Sequence, residues 1–162
     1  MIIETEAYLG DEDPASHAFK GIKERNKPMF EAGGVIYVYF TYGAHYCLNI
    51  VTGKKNEGEA VLIRAVQPVA GIPLLIKNRY GTVDSINNKQ MVNLTNGPGK
   101  LTKAFGIGKE DNYTSVDDGN ISLLPFKKIN SLQINITQRI GISQGQEHPW
   151  RFFIRDNHPF KQ

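Results

Sequence analysis

Two short runs rich in β-branched and aromatic residues, with one glycine between them, place the strongest constraint on the fold. The runs are Val35–Phe40 and Tyr46–Val51, and Gly43 lies in the short segment that separates them. Residues of this kind fit a pleated strand, and a short connection that contains glycine is typical of a β-hairpin. The chain is therefore expected to fold around an antiparallel sheet.

The length of the hairpin loop decides which side chains share a face of the sheet. A three-residue loop, Tyr42–Ala44, sets Tyr39 opposite Cys47 and puts Asn49 on the same face as Tyr39. A two-residue loop moves Asn49 to the other face. The sequence leaves both registers open, and in either of them Tyr42 lies at or beside the tip of the hairpin.

Similar patterns predict the remaining elements of the fold. Strands are predicted at Ile3–Leu9, Ala60–Val66, Ile121–Leu124, Leu132–Ile136 and Phe152–Arg155. Helices are predicted over Pro73–Tyr80 and within Asn96–Phe105, whereas the polar segment Gly81–Asn93 is predicted to be irregular. The expected fold is a single α+β domain over residues 1–162 with a mostly antiparallel sheet.

Charge, hydropathy and cysteine content narrow the class of protein. The longest apolar run, Val66–Ile76, is interrupted by prolines and a glycine, which argues against a membrane span of roughly 18 apolar residues. The net charge of +3 favours a polyanionic partner without requiring one, because a lysine cluster such as Lys20–Lys27 also suits a solvated face. The single cysteine, Cys47, excludes an internal disulfide and is expected to be a small core residue. The start of the chain lacks a basic and apolar signal segment, which predicts an intracellular protein.

Charged side chains on the predicted strands are candidates for chemistry. Glu4 and Glu6 share one face of a strand about 6.6 Å apart, within the range of paired glycosidase carboxylates, although two solvated acids on an edge strand are also common. Arg64 interrupts an apolar strand, and such local inconsistencies concentrate at functional sites. His17 follows a segment dense in turn formers, where a surface histidine is the alternative interpretation.

Six blocks of sequence, in their order along the chain, resemble the alkyladenine (3-methyladenine) DNA glycosylase family. The blocks are IIETEAYLG, DEDPASHAF, YVYFTYG with Asn49 beyond it, VLIRAVQP, NGPGKLTKAF and RIGI. The resemblance implies a curved antiparallel sheet with peripheral helices and a protruding hairpin, similar to the FMT C-terminal domain. It also implies a monofunctional hydrolase of base excision repair that flips alkylated or deaminated purines out of duplex DNA and cuts their N-glycosidic bond.

The same resemblance assigns catalytic roles to three residues. Glu6 matches the carboxylate that stabilises the positively charged sugar and activates water, and Arg64 matches the arginine beside it. Ile140 matches a residue whose backbone carbonyl contributes to the water site. Glu4 is expected to be structural. The resemblance requires no metal and no cofactor, and none of the residues matched to catalysis or base binding is a lysine that could act as the amine of a bifunctional lyase.

Contacts with the base and with DNA are also implied. Tyr8, His17 and Tyr39 match the walls that stack on an electron-poor damaged base. Asn49 matches the residue that crowds the exocyclic amine of normal guanine, and Tyr42 matches a side chain that enters the duplex in place of the flipped nucleotide. The turn and helix start in NGPGKLTKAF could contact phosphate through Gly97, Gly99, Lys100 and Lys103.

The sequence leaves open the N-terminal segment, the activity and the preferred lesion. Family members usually carry about 30 to 40 residues before the strand that holds Glu6, and their absence would uncover a sheet edge. A damaged-DNA-binding module with impaired catalysis is therefore an alternative, whereas a carbohydrate glycosidase that uses Glu4 and Glu6 is disfavoured by the basic charge. The expected partner is double-stranded DNA with a damaged purine, bound by a monomer. The expected location is the nucleoid-associated cytoplasm of a bacterium or the nucleus of a eukaryote, and the preferred lesion is undefined.

Overall fold

The computed structural model describes residues 1–41, 43–82, 85–117, 119–126 and 128–155, and within these ranges it contains six strands and three α-helices. The strands are β1 (Ile2–Tyr8), β2 (Ile36–Thr41), β3 (His45–Val51), β4 (Ala60–Val66), β5 (Ile134–Thr137) and β6 (Arg151–Ile154). They form one antiparallel sheet in the order β2-β3-β4-β1-β6-β5. The helices are α1 (Ile72–Tyr80), α2 (Asn88–Val92) and α3 (Pro98–Phe105), with 3-10 helices at Glu24–Phe30, Lys109–Asp111 and Ser131–Gln133. The predicted α+β class is confirmed.

The hairpin of β2 and β3 has the three-residue loop. Thr41 pairs with His45, and two residues further along Tyr39 pairs with Cys47. Gly43 has a φ of 64°, a left-handed conformation that glycine adopts without a steric penalty, and three-residue hairpin loops require it at one position. This register puts Tyr39 and Asn49 on the same face of the sheet.

One face of the sheet carries a row of mostly polar side chains that crosses every strand. Residues directly opposite each other in an antiparallel sheet share a face. The successive partners in this row are Tyr37, Asn49, Leu62, Glu6, Arg151 and Thr137. The face that carries Glu6 therefore continues across the whole sheet.

The other face of the sheet is apolar and packs on α3. Ile36, Val38, Leu48, Ile50 and Ile63 from the sheet form a buried cluster with Leu101 of α3 and with Val116. Burial of each such side chain contributes about 1.5–3 kcal/mol to stability. The helix and this apolar face thus provide the support on which the polar face is presented.

An irregularity in the pairing of β1 with β4 lies at Arg64. Thr5 pairs with Ile63 and Glu4 pairs with Ala65, so the register passes over Arg64. An extra residue of this kind bends a strand and redirects a side chain. The irregularity explains how an arginine fits within an apolar strand, because its side chain leaves the ladder on the side of the acidic residues.

Glycine and proline mark the ends of the two longer helices. Gly81 follows α1 and Gly106 follows α3, and both end their helix in the left-handed conformation. Pro73 and Pro98 lie in the first turns, where the missing N–H costs no helical hydrogen bond. No helix in the described ranges is long and apolar enough to span a membrane.

Two of the predicted strands are wrong or displaced. The segment Ile121–Leu124 forms no strand, and the outer edge of β2 is already hydrogen-bonded to residues 113–116. Alternating apolar residues make a strand only where a partner edge is free. Leu132–Ile136 begins in the 3-10 helix at Ser131–Gln133, so β5 starts only at Ile134.

The polar segment Gly81–Asn93, predicted to be irregular, contains the short helix α2. The Asn87 side chain accepts a hydrogen bond from the Gln90 N–H at 2.9 Å, and the Gln90 side chain accepts one from the Asn87 N–H at 3.0 Å. This reciprocal capping box satisfies two N–H groups at the start of the helix. The polar composition of this segment therefore led to the wrong prediction, although its capping residues favour a helix.

Candidate active site

The polar face of the sheet opens into a cavity of about 460 Å³. Its wall brings together six of the residues predicted for catalysis or base binding, which are Tyr8, His17, Tyr39, Asn49, Arg64 and Ile140. Leu62 lies among them, and residues 140–144 close one side. A volume of this order fits a small planar ligand, since binding cavities span about 300–1,000 Å³.

Glu6 lies directly behind this wall and has no exposed surface. Its Oε2 accepts hydrogen bonds from the Tyr8 hydroxyl and from Arg64 Nη1, both at 3.0 Å. Its Oε1 accepts one from the backbone N–H of Ile140 at 2.8 Å. All three donors belong to residues that line the cavity. An ionised carboxylate offers about four acceptor positions, so roughly one is left on Oε1, beside Ile140.

The contact of Ile140 differs from the one expected for it. The amide nitrogen of Ile140 holds the carboxylate of Glu6. A donor that is part of the backbone is fixed by the path of the chain, so the loop that contains Ile140 determines where this carboxylate lies. The water contact of the Ile140 carbonyl stays a prediction.

Arg64 is shared between the two glutamates of β1. Its Nε donates to Glu4 Oε1 at 2.9 Å and its Nη1 donates to Glu6 Oε2 at 3.0 Å. Burial by itself would lower the pKa of Arg64, but the carboxylates of Glu6 and Glu4 raise it above its ordinary value. Glu4 Oε1 also accepts from Arg151 Nε at 2.7 Å. Charges of alternating sign therefore run from Arg151 to Glu6, and Glu4 orients Arg64.

Aromatic rings form part of the cavity wall. The rings of His17 and Tyr39 meet edge to face with centroids 4.5 Å apart, and His17 Nδ1 shares a hydrogen bond of 2.9 Å with the Tyr37 hydroxyl. Burial raises the pKa of Tyr37 to about 12, and burial followed by the charge of Glu6 raises the pKa of Tyr8. These phenols are therefore neutral at physiological pH. Both tyrosines line the cavity.

A pH effect on stability is expected from His17. Burial, with the nearby charge of Arg25, lowers the pKa of His17 below its ordinary value of 6.5. The unfolded chain therefore binds a proton more readily than the folded one below that pH, so the contribution of neutral His17 is complete above about pH 6.5 and is lost as the pH falls towards the folded-state pKa. His17→Gln should flatten this part of the dependence, as measured by urea unfolding between about pH 5 and 7.5. An unchanged slope in the variant would contradict it.

The amide of Asn49 is held in a fixed orientation within the cavity wall. Its Nδ2 donates to the Tyr37 carbonyl across the hairpin at 3.1 Å, and the residue is 4% exposed. Cys47, its neighbour on the same face, is buried as expected and also lines the cavity. The role of this amide in base selection stays a prediction.

Sequence reasoning missed a buried ion pair beside the cavity. Arg139 and Asp13 form a bidentate pair whose side chains have no exposed surface, with Arg139 Nη2 at 2.8 Å from Asp13 Oδ1. Asp13 lies in a run of acidic and turn-forming residues, where a solvated carboxylate is the ordinary interpretation. Only the position of Arg139 in the block RIGI could have drawn attention to it.

The residues predicted to contact phosphate lie at the start of α3. Gly97 caps the helix, and Gly99 packs against the hairpin, where an added Cβ would lie 2.9 Å from the His45 Cβ. Lys100 Nζ already donates to the side-chain oxygens of Asn93 and Asn96, whereas Lys103 is exposed. A larger residue at position 99 would therefore collide with His45. Phosphate contacts by these residues stay a prediction.

Comparison with known proteins identifies the family. The family model described as methylpurine-DNA glycosylase (MPG) matches residues 1–158. The chain belongs to this family. It is therefore a DNA glycosylase, a hydrolase that acts on N-glycosidic bonds of alkylated bases in DNA repair, and its substrate is DNA. This assignment removes the alternative of a carbohydrate glycosidase. The family resemblance places Tyr42 in the duplex, but this residue lies outside the described residues.

Individual relatives agree with the family assignment. Over 162 residues the chain is 43% identical to a protein from Clostridium beijerinckii, an alignment that covers 96% of this chain and 79% of the relative. It is 47% identical to a protein from Prosthecochloris aestuarii, covering 97% and 72%, and 45% identical to one from Francisella tularensis, covering 96% and 78%. All three relatives are provisionally named 3-methyladenine DNA glycosylase.

Proposed function

We propose that this protein excises alkylated or deaminated purines from double-stranded DNA after the damaged nucleotide has left the duplex and entered the cavity beside Glu6. The observation that carries the proposal is that all three hydrogen-bond donors of Glu6 line that cavity. A base held against Tyr8, His17 and Tyr39 would bring its sugar towards the carboxylate. Extrusion costs a few kcal/mol, and least for damaged or mismatched bases, which favours lesions over normal pairs.

The reaction requires only water and the side chains already described. The bond between C1′ of the sugar and the base nitrogen breaks, and its electron pair leaves with the base. The sugar then carries oxocarbenium-like positive charge, which the carboxylate of Glu6 stabilises. The oxygen of a water bonds to C1′, and Glu6 accepts the proton of that water. Arg64 and Tyr8 hold the carboxylate in place, and the Ile140 carbonyl contributes to the water site.

Base selection would depend on the aromatic walls and on Asn49. Alkylated purines are electron-poor, and several are cations, so the electron-rich faces of Tyr8 and Tyr39 attract them more strongly than they attract normal bases. The fixed amide of Asn49 would crowd the exocyclic amine of guanine. Excision rates compared among 3-methyladenine, 7-methylguanine, hypoxanthine and ethenoadenine would establish the preference. An Asn49→Ala protein that still rejects normal guanine would contradict the role of the amide.

Tyr42 is proposed to fill the space that the flipped nucleotide leaves. In the sequence it follows Thr41, which pairs with His45 at the end of the hairpin, and an aromatic side chain beside such an end can enter a base stack. Tyr42→Ala should weaken the flipped complex, which the fluorescence change of an ethenoadenine duplex reports. A Tyr42→Phe protein is the matched control, because it keeps the ring.

Contacts with the DNA phosphates are proposed for Gly97, Gly99, Lys100 and Lys103. The salt dependence of DNA binding by variants at these positions tests this.

The protein is further proposed to act as a monomer on nucleoid DNA in the bacterial cytoplasm. The relatives named above are bacterial, which supports the location. Sedimentation of the free protein and of its DNA complex tests the monomer, and a fluorescent fusion that fails to overlap the nucleoid would contradict the location.

A direct assay tests the proposed function. Duplexes that contain one ethenoadenine or one hypoxanthine are incubated with the protein and treated with alkali, which breaks the strand at an abasic site. Breaks at the lesion require excision. A gel shift without breaks would instead support a lesion-binding module, an outcome with a structural basis because Glu6 has no exposed surface and its water must reach it past a covering group. Breaks that appear before the alkali treatment would overturn the monofunctional assignment.

A further inference from the structure

Arg139 is held beside the cavity by four hydrogen bonds from its two Nη atoms, whereas its Nε is buried without a partner among the described residues. Its Nη1 donates to the Ala7 carbonyl at 3.0 Å and to Asp13, and its Nη2 donates to Asp13 Oδ1 at 2.8 Å and to the Gly145 carbonyl at 3.1 Å. The four Nη hydrogens are thereby used. The guanidinium carbon lies 4.7 Å from the ring centroid of Tyr8 and 4.9 Å from that of Trp150, distances at which a cation is attracted to a ring. These contacts hold the guanidinium of Arg139 in one orientation.

The contacts of Arg139 join three segments that surround the catalytic carboxylate. Ala7 and Tyr8 end β1, immediately after Glu6. Gly145 belongs to the loop that follows Arg139 and lines the cavity over residues 140–144. The third segment, residues 9–17, is organised by Asp13.

Asp13 connects this cluster to the wall that holds His17. Its carboxylate accepts hydrogen bonds from the N–H of Leu9 at 3.3 Å and of Ala15 at 3.0 Å, and its carbonyl accepts one from the Ser16 N–H at 2.9 Å. Ala15 and His17 line the cavity. Asp13 therefore shapes the wall on one side while it neutralises Arg139 on the other.

We infer that Arg139, paired with Asp13, is a positioning residue that holds the Ile140 N–H against Glu6. Ile140 is the next residue in the chain, and its amide donates to Glu6 Oε1 at 2.8 Å. A fixed side chain at position 139 therefore fixes the backbone donor at position 140. Glu6 Oε1 also has the acceptor position that is left for the attacking water. A shift of the Ile140 amide would therefore displace the carboxylate and this water together. Displacements of about 1 Å cost on the order of 10²-fold in rate. This inference rests on the catalytic role proposed for Glu6.

Arg139→Lys tests the inference, because lysine keeps the charge but cannot bind Asp13 through two parallel donors. The single-turnover excision rate from an ethenoadenine duplex should fall by about 10²-fold. Affinity for a duplex with a 2′-fluoro ethenoadenine nucleotide, which resists cleavage, should be unchanged. Hydrogen exchange of the Ile140 amide should accelerate while amides of β4 keep their protection. Arg155→Lys is the matched control, since Arg155 is exposed and its Nε contacts Asn135.

Two outcomes would overturn the inference. The first is a folded Arg139→Lys protein that excises at the rate of the unmodified protein. The second is a loss of rate, affinity and β4 protection in parallel, which indicates a purely structural role. If Arg139→Lys does not fold, Gly145→Ala decides by the same measurements. Gly145 has a φ of 63°, and an added Cβ would lie 2.9 Å from Arg139 Nη2, so this change disturbs the cluster from the loop side.

Failure of this inference can be distinguished from failure of the proposed function. Glu6→Gln is measured in the same assay. If Glu6→Gln is inactive and Arg139→Lys is fully active, only the positioning role of Arg139 is wrong. If Glu6→Gln still excises the base, the catalytic role of Glu6 is wrong, and the inference about Arg139 falls with it.

Discussion

Replacing Glu6 with glutamine is expected to abolish base excision while the protein still binds a lesion-containing duplex. The amide cannot accept a proton from water and carries no negative charge to stabilise the sugar cation, and loss of proton transfer alone costs about 10²–10⁴-fold. Single-turnover excision from a hypoxanthine duplex measures the chemical step. A gel shift with the same duplex measures binding.

The geometry around Glu6 also predicts a cost in stability for this change. Every donor to the carboxylate is fixed, and an amide nitrogen placed beside Arg64 Nη1 or the Ile140 N–H would face another donor. An unsatisfied buried group costs about 1–3 kcal/mol, so the unfolding free energy must be measured beside the rate. Glu24→Gln is the matched control, because the Glu24 side chain is 86% exposed. Excision by a folded Glu6→Gln protein at the rate of the control would refute the assignment of the catalytic carboxylate.

The hairpin and the acidic strand could be predicted from sequence because local patterns specify them. Alternation placed Glu4 and Glu6 on one face, and their shared contacts with Arg64 agree with it. The strand Ala60–Val66 was predicted with its observed bounds. These elements depend on properties of neighbouring residues. Side-chain periodicity and β-branched content are visible over a few positions.

What could not be predicted depends on pairing between distant segments. The hairpin register stayed open until the pairing of Thr41 with His45 was known. The irregularity at Arg64 exists only relative to β1, and the pair of Arg139 with Asp13 joins residues 126 positions apart. The contact of the Ile140 amide with Glu6 is invisible for the same reason, since every non-proline residue has a backbone N–H. Tertiary geometry, and not residue type, selects these partners.

Replacing Arg64 with methionine is expected to lower the unfolding free energy by about 3–5 kcal/mol, since it leaves the buried carboxylate of Glu6 without its cation. Glu6 would lose its one ion pair among the described residues, whereas Glu4 would keep Arg151. Urea unfolding at neutral pH measures the loss. Excision should also be lost, because within the described part of the chain Oε2 of Glu6 would be held by the Tyr8 hydroxyl alone.

A double variant separates the role of Arg64 in stability from its role in catalysis. Adding Glu6→Gln to Arg64→Met removes the uncompensated negative charge, so the double variant should be more stable than Arg64→Met alone, although it excises nothing. This coupling is the sign of a direct interaction, because mutations at independent sites add. The exposed pair of Lys27 with Glu24 is the control, where the same double substitution should show little coupling. Additive losses at Arg64 and Glu6 would mean that the arginine does not neutralise the carboxylate, and the catalytic site would then need a different source of positive charge.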